Sequence, residues 1–114
     1  MMKIDRGDIV KIDFDPSMGG EIKGSRPALV LSSKSFHQTG FMMLCPISQG
    51  EAATARENGF SVSLMGSGCK TNGVVIAHQV RVVDFRVRKI RKFETTPTFI
   101  VDEVQDIVEA ILRD

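Results

Sequence analysis

Residues 14–31 read FDPSMGGEIKGSRPALVL and describe two strands joined by a glycine-rich loop. Before the loop, Val10, Ile12 and Phe14 alternate with polar residues, which is the period of a strand with one buried face. The apolar run 28–31 is typical of a strand buried on both faces. The loop is either a plain solvated hairpin or a reactive surface held by two rigid strands. The loop carries a carboxylate, an ammonium and a guanidinium, on Glu21, Lys23 and Arg26.

Three further segments have the pattern of strands. The first, residues 41–47, is apolar, and Pro46 within it is expected at an edge or a bulge because proline has no backbone N–H to donate. Residues 60–64 alternate in polarity, which predicts a half-buried strand. The Asn-Gly pair at 72–73 predicts a tight turn. It leads into the β-branched run 74–83, which is either one central strand or two strands joined by a bend.

The end of the chain has the pattern of an amphipathic helix. Thr96 is expected to cap it and Pro97 to take the first helical position. Strands within residues 6–93 and a helix over about 96–113 predict one domain, 1–114, that is mainly β with a C-terminal helix. A small, strongly bent antiparallel sheet or half-open barrel suits these elements. The apolar helix positions are Ile100, Val104, Ile107, Val108 and Ile111.

Composition excludes several classes of protein. The chain is 42% hydrophobic and 25% charged, as in ordinary globular proteins. No apolar run approaches the roughly 20 residues that span a membrane, and the N-terminus lacks a signal-peptide core, so we expect a cytoplasmic protein with no membrane contact. Cys45 and Cys69 have no zinc or disulfide spacing, and Cys45 is expected in the core. No residue cluster has ligand spacing, so neither a metal nor another cofactor is predicted.

Charge is unevenly spread although the net charge is only +1. Residues 81–92 contain six basic residues and one acid, whereas residues 93–114 contain six acids and one base. A basic run of this kind either follows a phosphate backbone or forms the solvated face of a strand.

Seven short motifs occur in order along the chain. They are RGDIV (6–10), FDP (14–16), GSRPALVL (24–31), PISQG (46–50), GFSV (59–62), GVV (73–75) and HQVR (78–81). Together they resemble the MazF/PemK family of toxin endoribonucleases, and most closely its PemK-type members. The resemblance implies an SH3-like barrel and a homodimer. It also implies metal-independent cutting of single-stranded RNA, often messenger RNA, at short sequences, and inhibition by a cognate PemI/MazE-like antitoxin.

The resemblance assigns catalytic roles to residues of the first loop and the third strand. Cutting RNA without a metal uses its own 2′-hydroxyl as nucleophile, so the enzyme must move protons and stabilise the phosphate. Arg26 matches the family arginine, and its charged planar fork suits phosphate oxygens. Ser48 stands where the family usually has threonine and can bind the phosphate or relay a proton. Glu21 matches a family glutamate and is either a base or an organiser of Arg26.

The chain departs from one branch of the family at three positions. That branch has an arginine and an aspartate two residues apart, where this chain has Ile76 and His78, and a loop histidine where it has Gly20. Isoleucine carries no proton, so the arginine's task must fall elsewhere or be lost. Imidazole exchanges protons near neutrality, so His78 is a fourth catalytic candidate. The alternative is a structural histidine within the sheet.

Residues that bind RNA are harder to assign, because the chain has no Trp or Tyr. Stacking on bases would then come from Phe or Arg. Phe60 is the first candidate, although its strand pattern places it in the core, and His37 is expected on the surface. Five polar residues are expected to line the RNA groove. They are Lys23, Gln49, Arg56, Asn72 and Gln79.

Two other functions remain open at this stage. A CcdB-like gyrase-binding toxin shares the fold without being a nuclease, but such toxins depend on a Trp-Gly-Ile end and this chain ends Leu112-Arg113-Asp114. A catalytically inactive SH3-like binding module is the other alternative, and the isoleucine at position 76 favours it.

Overall fold

The computed structural model describes residues 3–50 and 58–114, and within them it contains seven β-strands and a C-terminal α-helix. The strands pair antiparallel in the order β4-β5-β3-β2-β1-β7, with β6 also beside β3. The prediction of a mainly antiparallel β protein with a C-terminal helix is therefore confirmed. The elements are β1 (Asp8–Asp13), β2 (Ser25–Val30), β3 (Phe41–Ser48), β4 (Ser61–Ser63), β5 (Val74–Ile76), β6 (Arg81–Asp84), β7 (Ile90–Thr95) and α1 (Thr98–Arg113).

The strand β2 lies between two hydrophobic clusters. Ala28 and Val30 belong to the cluster enclosed by the curled sheet, whereas Leu29 and Leu31 belong to the cluster beneath α1. All four are buried, as the apolar run predicted. Cys45 on β3 lies in the second cluster, and burial raises the pKa of its thiol to about 12. Its predicted place in the core is confirmed.

The expectation for Pro46 was wrong, because β3 is an inner strand. On one side Pro46 pairs with Ala28 of β2. On the other side β3 pairs with β6 up to Leu44 and with β5 only from Ile47 onward, so no strand faces Pro46 there. The missing N–H therefore falls at a break between two partner strands rather than at the edge of the sheet.

The same break explains the run 74–83. The chain leaves β5, makes a 3₁₀ turn over residues 77–79 and re-enters the sheet as β6. Of the two alternatives, the structure has two strands joined by a bend. The turn carries two of the predicted site residues, and it projects from the gap opposite Pro46.

The helix α1 packs on the sheet through its N-terminal half, where Ile100, Val101 and Val104 are buried. The predicted helix start was wrong: the helix begins at Thr98, so Pro97 takes the cap position and not the first helical one. Thr96 makes no capping bond, and its buried hydroxyl has no hydrogen-bond partner within the described residues. Its backbone N–H instead donates to the carbonyl of Gly7, which ties the helix start to the sheet. No helix in the described ranges is long and apolar enough to cross a membrane.

His37 is buried, and the expectation that it lies on the surface was wrong. Its ring nitrogens lie 2.7 Å from the Ser32 hydroxyl and 2.9 Å from the carbonyl oxygen of Ile4. The 3₁₀ turn Phe36–Thr39 folds back on the N-terminal segment, so the imidazole closes one end of the core with both nitrogens satisfied.

Candidate active site

The loop between β1 and β2 is tied to the rest of the sheet by polar contacts. The Ser17 hydroxyl lies 3.0 Å from the carbonyl oxygen of Phe14 and 2.9 Å from that of Ile22. The Nη1 of Arg88 donates to the carbonyl oxygen of Asp13 at 2.7 Å and to that of Asp15 at 3.0 Å. These bonds hold both ends of a loop that its glycines would leave free.

Gln79, on the 3₁₀ turn, connects that turn to the same loop. Its side-chain oxygen accepts the backbone N–H of Ile22 at 2.8 Å, and its Nε2 donates to the carbonyl of Gly20 at 3.3 Å. Both halves of the Gln79 amide are thus engaged with the loop. The side chain predicted to bind RNA holds the loop in place in this structure.

Glu21, His78 and Gln79 line one cleft of about 310 Å³, which we call the His78 cleft. His78 is exposed, and its ring meets the Phe60 ring edge-on at 5.9 Å between centroids. Glu21 accepts a hydrogen bond from the backbone N–H of Met18 at 2.7 Å. The cleft is completed by Phe14, Ile22, Pro46, Val80 and Arg81.

Arg81 is a site residue that the sequence reasoning missed. Its guanidinium carbon lies 5.6 Å from the centre of the Phe14 ring, and its Nη1 donates to the Phe14 carbonyl at 3.3 Å. The signal was available, because Arg81 closes the HQVR motif three residues after His78. A guanidinium beside an imidazole makes the His78 cleft suited to a phosphate.

Phe60 is 49% exposed, so its expected place in the core was wrong. The strand β4 begins only at Ser61, and Phe60 lies outside it, against His78. Val62 and Leu64 keep the predicted alternation and are buried. The exposed ring is available for stacking beside the His78 cleft.

Arg26 belongs to β2 and not to the loop, which corrects the sequence prediction. Its Nε donates to the carbonyl of Lys23 at 2.8 Å. It lines a second cleft of about 370 Å³, which we call the Arg26 cleft. The other lining residues are Lys11, Ser25, Pro27, Gln49, Thr71 and Phe93.

Two contacts shape the far wall of the Arg26 cleft. Gln49 donates from Nε2 to the carbonyl of Asn72 at 3.0 Å. Glu94 accepts from the Thr71 hydroxyl at 2.6 Å and from the backbone N–H groups of Lys70 and Thr71. Partial burial opposes ionisation of Glu94, but these hydrogen bonds outweigh it and lower the pKa of the carboxyl.

Ser48 is fully buried, and its Oγ has no hydrogen-bond partner within the described part of the chain. The β2–β3 ladder ends with Ala28 opposite Pro46, and its register, extended by two residues, sets Arg26 opposite Ser48. Gly73, whose φ is +122°, lies directly against the carbonyl of Ser48. The unpartnered hydroxyl therefore lies in the interior at the end of β3, and the turn at Gly73 packs against the backbone of the same residue.

The structure distributes the predicted site residues over neighbouring clefts. Glu21, His78 and Gln79 share the His78 cleft, whereas Arg26 and Gln49 share the Arg26 cleft, and Asn72 lines a third. Residues 22 and 25 line different clefts, and three residues span at most about 11 Å, so the two clefts adjoin. Lys23 lies exposed on the segment between them. Arg56 lies outside the described residues.

The basic run 81–92 is divided among several contacts. Arg86 forms an ion pair with Asp84 at 2.8 Å, and Lys92 lies 3.4 Å from the carboxylate of Asp8. Arg91 stacks over Phe93, with its guanidinium carbon 5.1 Å from the ring centre. Arg86 and Lys92 thus form ion pairs with carboxylates of the sheet. Arg91 lies next to the Arg26 cleft, because the ring that it contacts, Phe93, lines that cleft. The described residues contain no cluster of three or more potential metal ligands.

A model of PemK-like, MazF-like toxins of type II toxin-antitoxin systems matches residues 5–112. The chain belongs to this toxin family. The endoribonuclease toxin ChpB of Escherichia coli strain K12 is 39% identical over 112 residues, covering 97% of this chain and 96% of that protein. The endoribonuclease PemK of Escherichia coli is 36% identical over 110 residues, covering 96% and 82%.

Solved structures agree with this assignment. The crystal structure of MazF from Deinococcus radiodurans superposes with a TM-score of 0.85 at 30% identity and covers 97% of each chain. A crystal structure of MazE-MazF from the same organism superposes with a TM-score of 0.77 at 30% identity, covering 96% of this chain and 94% of that one. Within this family fold, Ile76 is fully buried in the core, so the position cannot serve the site.

The contacts of Gln79 predict a measurable effect on the loop. Gln79→Ala should speed amide hydrogen exchange at Ile22 by about fivefold, because one hydrogen bond contributes about 1 kcal/mol. Gln79→Glu keeps the acceptor for that N–H and should preserve its protection. Gln38→Ala, an exposed glutamine of the 3₁₀ turn Phe36–Thr39, serves as the control. Unchanged exchange in Gln79→Ala would show that the loop does not depend on this side chain.

Proposed function

We propose that the chain is a sequence-specific endoribonuclease toxin that cuts single-stranded RNA by attack of the RNA's 2′-hydroxyl, without a metal ion. The 2′-oxygen bonds to the adjacent phosphorus and loses its proton, while the bond to the 5′-oxygen breaks and that oxygen gains a proton. The products are a 2′,3′-cyclic phosphate and a 5′-hydroxyl. The observation that carries the proposal is that the family's arginine, Arg26, lines a cleft that adjoins a second cleft bearing an imidazole.

Arg26 binds the scissile phosphate in this proposal. The bond from its Nε to the Lys23 carbonyl holds the root of the guanidinium against the backbone of β2. A held guanidinium stabilises the extra negative charge of the transition state with little rearrangement. Lys23 is exposed between the clefts, and its positive charge attracts the backbone phosphates of the same RNA strand.

His78 accepts the proton of the 2′-hydroxyl. It is exposed in a cleft that Arg81 also lines, so a phosphate bound by the guanidinium can bring its neighbouring ribose to the ring. Glu21 serves as the organiser of the loop that leads to Arg26, because its carboxylate is already bonded to the loop backbone at Met18. An RNA strand that follows residues 21–26 passes from one cleft to the other.

Ser48 supports the phosphate only when its hydroxyl becomes accessible. The hydroxyl is buried with no hydrogen-bond partner within the described residues, and the turn at Gly73 lies against the carbonyl of Ser48. We propose that RNA entering the Arg26 cleft displaces this turn and receives the Ser48 hydrogen bond. Gln49 and Asn72, which are already bonded to each other there, contact the flanking nucleotides. Arg56 completes the proposed RNA-binding set, and Gln79 supports RNA binding by holding the loop at Ile22 and Gly20.

The protein partners follow from the relatives. MazF from Deinococcus radiodurans has been solved together with MazE. We propose that a MazE/PemI-like antitoxin likewise inhibits this chain, and that the active form is a homodimer. The exposed apolar surface supports the dimer: Leu112 is 79% exposed at the end of α1, beside a cleft that Leu31, Met43 and Val108 also line. The described residues contain an apolar face that a second copy would cover.

The two alternatives make different predictions for the same surface. A CcdB-like gyrase-binding toxin or an inactive binding module would need neither the Arg26 cleft nor the imidazole of His78. Both would leave RNA intact, so an RNA cleavage assay separates them from the nuclease.

The central test is cleavage of single-stranded RNA in excess EDTA. The wild-type protein should cut and leave a 2′,3′-cyclic phosphate. Arg26→Ala should slow cleavage by about 10²- to 10³-fold, the usual cost of removing a main donor to the transition state. Arg26→Lys should remain well below wild type because lysine lacks the planar fork.

Thermal unfolding of the Arg26 variants is the control, since a half-buried arginine contributes little to the core. A matched substitution, Lys34→Gln, removes an exposed positive charge at the other end of β2 and should leave cleavage unchanged. Activity that is lost in EDTA and restored by magnesium would contradict the proposed mechanism.

The role of His78 predicts a dependence on pH. If the neutral imidazole accepts the proton, cleavage should rise with pH across the range in which imidazole loses its charge. His78→Gln keeps hydrogen bonding but not titration, so it should remove that rise and slow cleavage by about 10²-fold. His78→Asp should recover part of the rate and move the rise to lower pH. An unchanged pH profile in His78→Gln would make the histidine structural.

The proposed dimer is tested by sedimentation at micromolar concentration. The mass should be roughly 25 kDa, twice the chain mass of 12.6 kDa, because the apolar surface beside Leu112 is costly to leave in water. A dilution series should show the monomer only at lower concentration. A mass of one chain at micromolar concentration would contradict the homodimer.

A further inference from the structure

The Arg26 cleft has an aromatic wall that none of the roles above uses. Phe93, on β7, is 44% exposed and lines the cleft together with Arg26. The guanidinium of Arg91 lies against the same ring, 5.1 Å from its centre. A large apolar ring kept at the surface beside a cation is a stacking platform for a planar ligand.

The charges around this ring are arranged for an anion. Lys11 on β1 and Arg91 on β7 are directly opposite in the sheet, and both are exposed. Like charges in this position destabilise a sheet, and neither residue has an ion-pair partner in the part of the chain that the structure describes. Arg26 adds a third positive charge, and no carboxylate is among the described residues that line the cleft.

The acid next to Phe93 in the sequence is engaged by other groups. Glu94 follows Phe93 on β7, and its carboxylate accepts three hydrogen bonds from Lys70 and Thr71. These bonds hold Thr71, which lines the Arg26 cleft. The site therefore places cations that bind phosphate next to an aromatic ring on which a base can stack.

We propose that Phe93, Lys11 and Arg91 form a nucleotide subsite for single-stranded RNA. A base stacks on Phe93 while its phosphate binds Lys11 and Arg91. The subsite adjoins the phosphate that Arg26 binds, so its nucleotide lies next to the scissile bond. This position of the nucleotide rests on the proposed function. Stacking accepts any base, so the subsite adds affinity and register rather than sequence preference.

The test measures binding apart from cleavage. The probe is a fluorescent 2′-O-methyl oligoribonucleotide of mixed sequence, which lacks the attacking hydroxyl, and the full chain is titrated by anisotropy. Phe93→Leu keeps apolar bulk without the π face and should weaken binding by about tenfold. Lys11→Gln and Arg91→Gln should each lower the slope of log K against log salt by about 0.7.

Matched controls lie at the opposite end of β2 from Arg26. Phe36→Leu removes another half-exposed ring and Lys34→Gln another exposed charge, and both should bind the probe like wild type. Thermal unfolding and sedimentation of Phe93→Leu should match wild type, which shows that the fold and the oligomer are intact.

Several outcomes would overturn the subsite. Phe93→Leu that binds the probe as tightly as wild type would do so, as would an equal loss in Phe36→Leu. If Phe93→Leu loses binding to the antitoxin but keeps binding to the probe, the surface is a protein-docking site. If the mass of Phe93→Leu in sedimentation differs from that of wild type, the surface is a dimer contact. If wild type binds the probe through Phe93 but cuts no RNA, the subsite stands and the proposed nuclease fails.

Discussion

The arrangement of this protein depends on the burial of β2 on both faces. Ala28 and Val30 face one hydrophobic cluster while Leu29 and Leu31 face the other. A shift of one residue against either neighbour would exchange the two faces, so the register with β1 and β3 is tightly specified. That register in turn determines where Arg26 leaves the core and which residue of β3 it meets. The site is thus placed by apolar packing, although its chemistry is polar.

The glycine-rich loop becomes a usable surface only through residues that are far away in the sequence. Gln79 binds the loop at Ile22 and Gly20, and Arg88 binds it at Asp13 and Asp15. Each bond occupies a backbone group that the short loop cannot satisfy by itself. The result is two adjoining clefts on either side of residues 22–25, one carrying the imidazole and the other the catalytic arginine of the proposal. Flexibility at the glycines is compatible with order because the contacts come from Arg88, which precedes β7, and from Gln79 on the 3₁₀ turn 77–79.

Several features of the site were open to sequence reasoning because they depend on local pattern. The strand-loop-strand unit, the helix and the family motifs depend on periodicity and short-range order, and these predicted both the fold class and the family. Phe60, His37 and Pro46 were placed wrongly for one shared reason. Each was judged by its neighbours in the sequence, whereas its burial or pairing is decided by a segment elsewhere. The β4–β5 pairing begins only at Ser61, which leaves Phe60 outside the strand and against His78. The turn Phe36–Thr39 folds onto Ile4, and a break between β5 and β6 faces Pro46.

By itself, the sequence determined the alternating and doubly buried strands, the amphipathic helix, the presence of Arg26 and His78 in family motifs and that of Glu21 in the first loop. Only the tertiary structure decided how these residues are grouped. It separated Arg26 from His78 into neighbouring clefts, buried the hydroxyl of Ser48 and brought Phe93 and Lys11 to the wall beside Arg26. The physical reason is that hydrophobic periodicity specifies which face of an element is buried. The side chains that meet across a cleft depend instead on the register between strands distant in the sequence and on hydrogen bonds from loops.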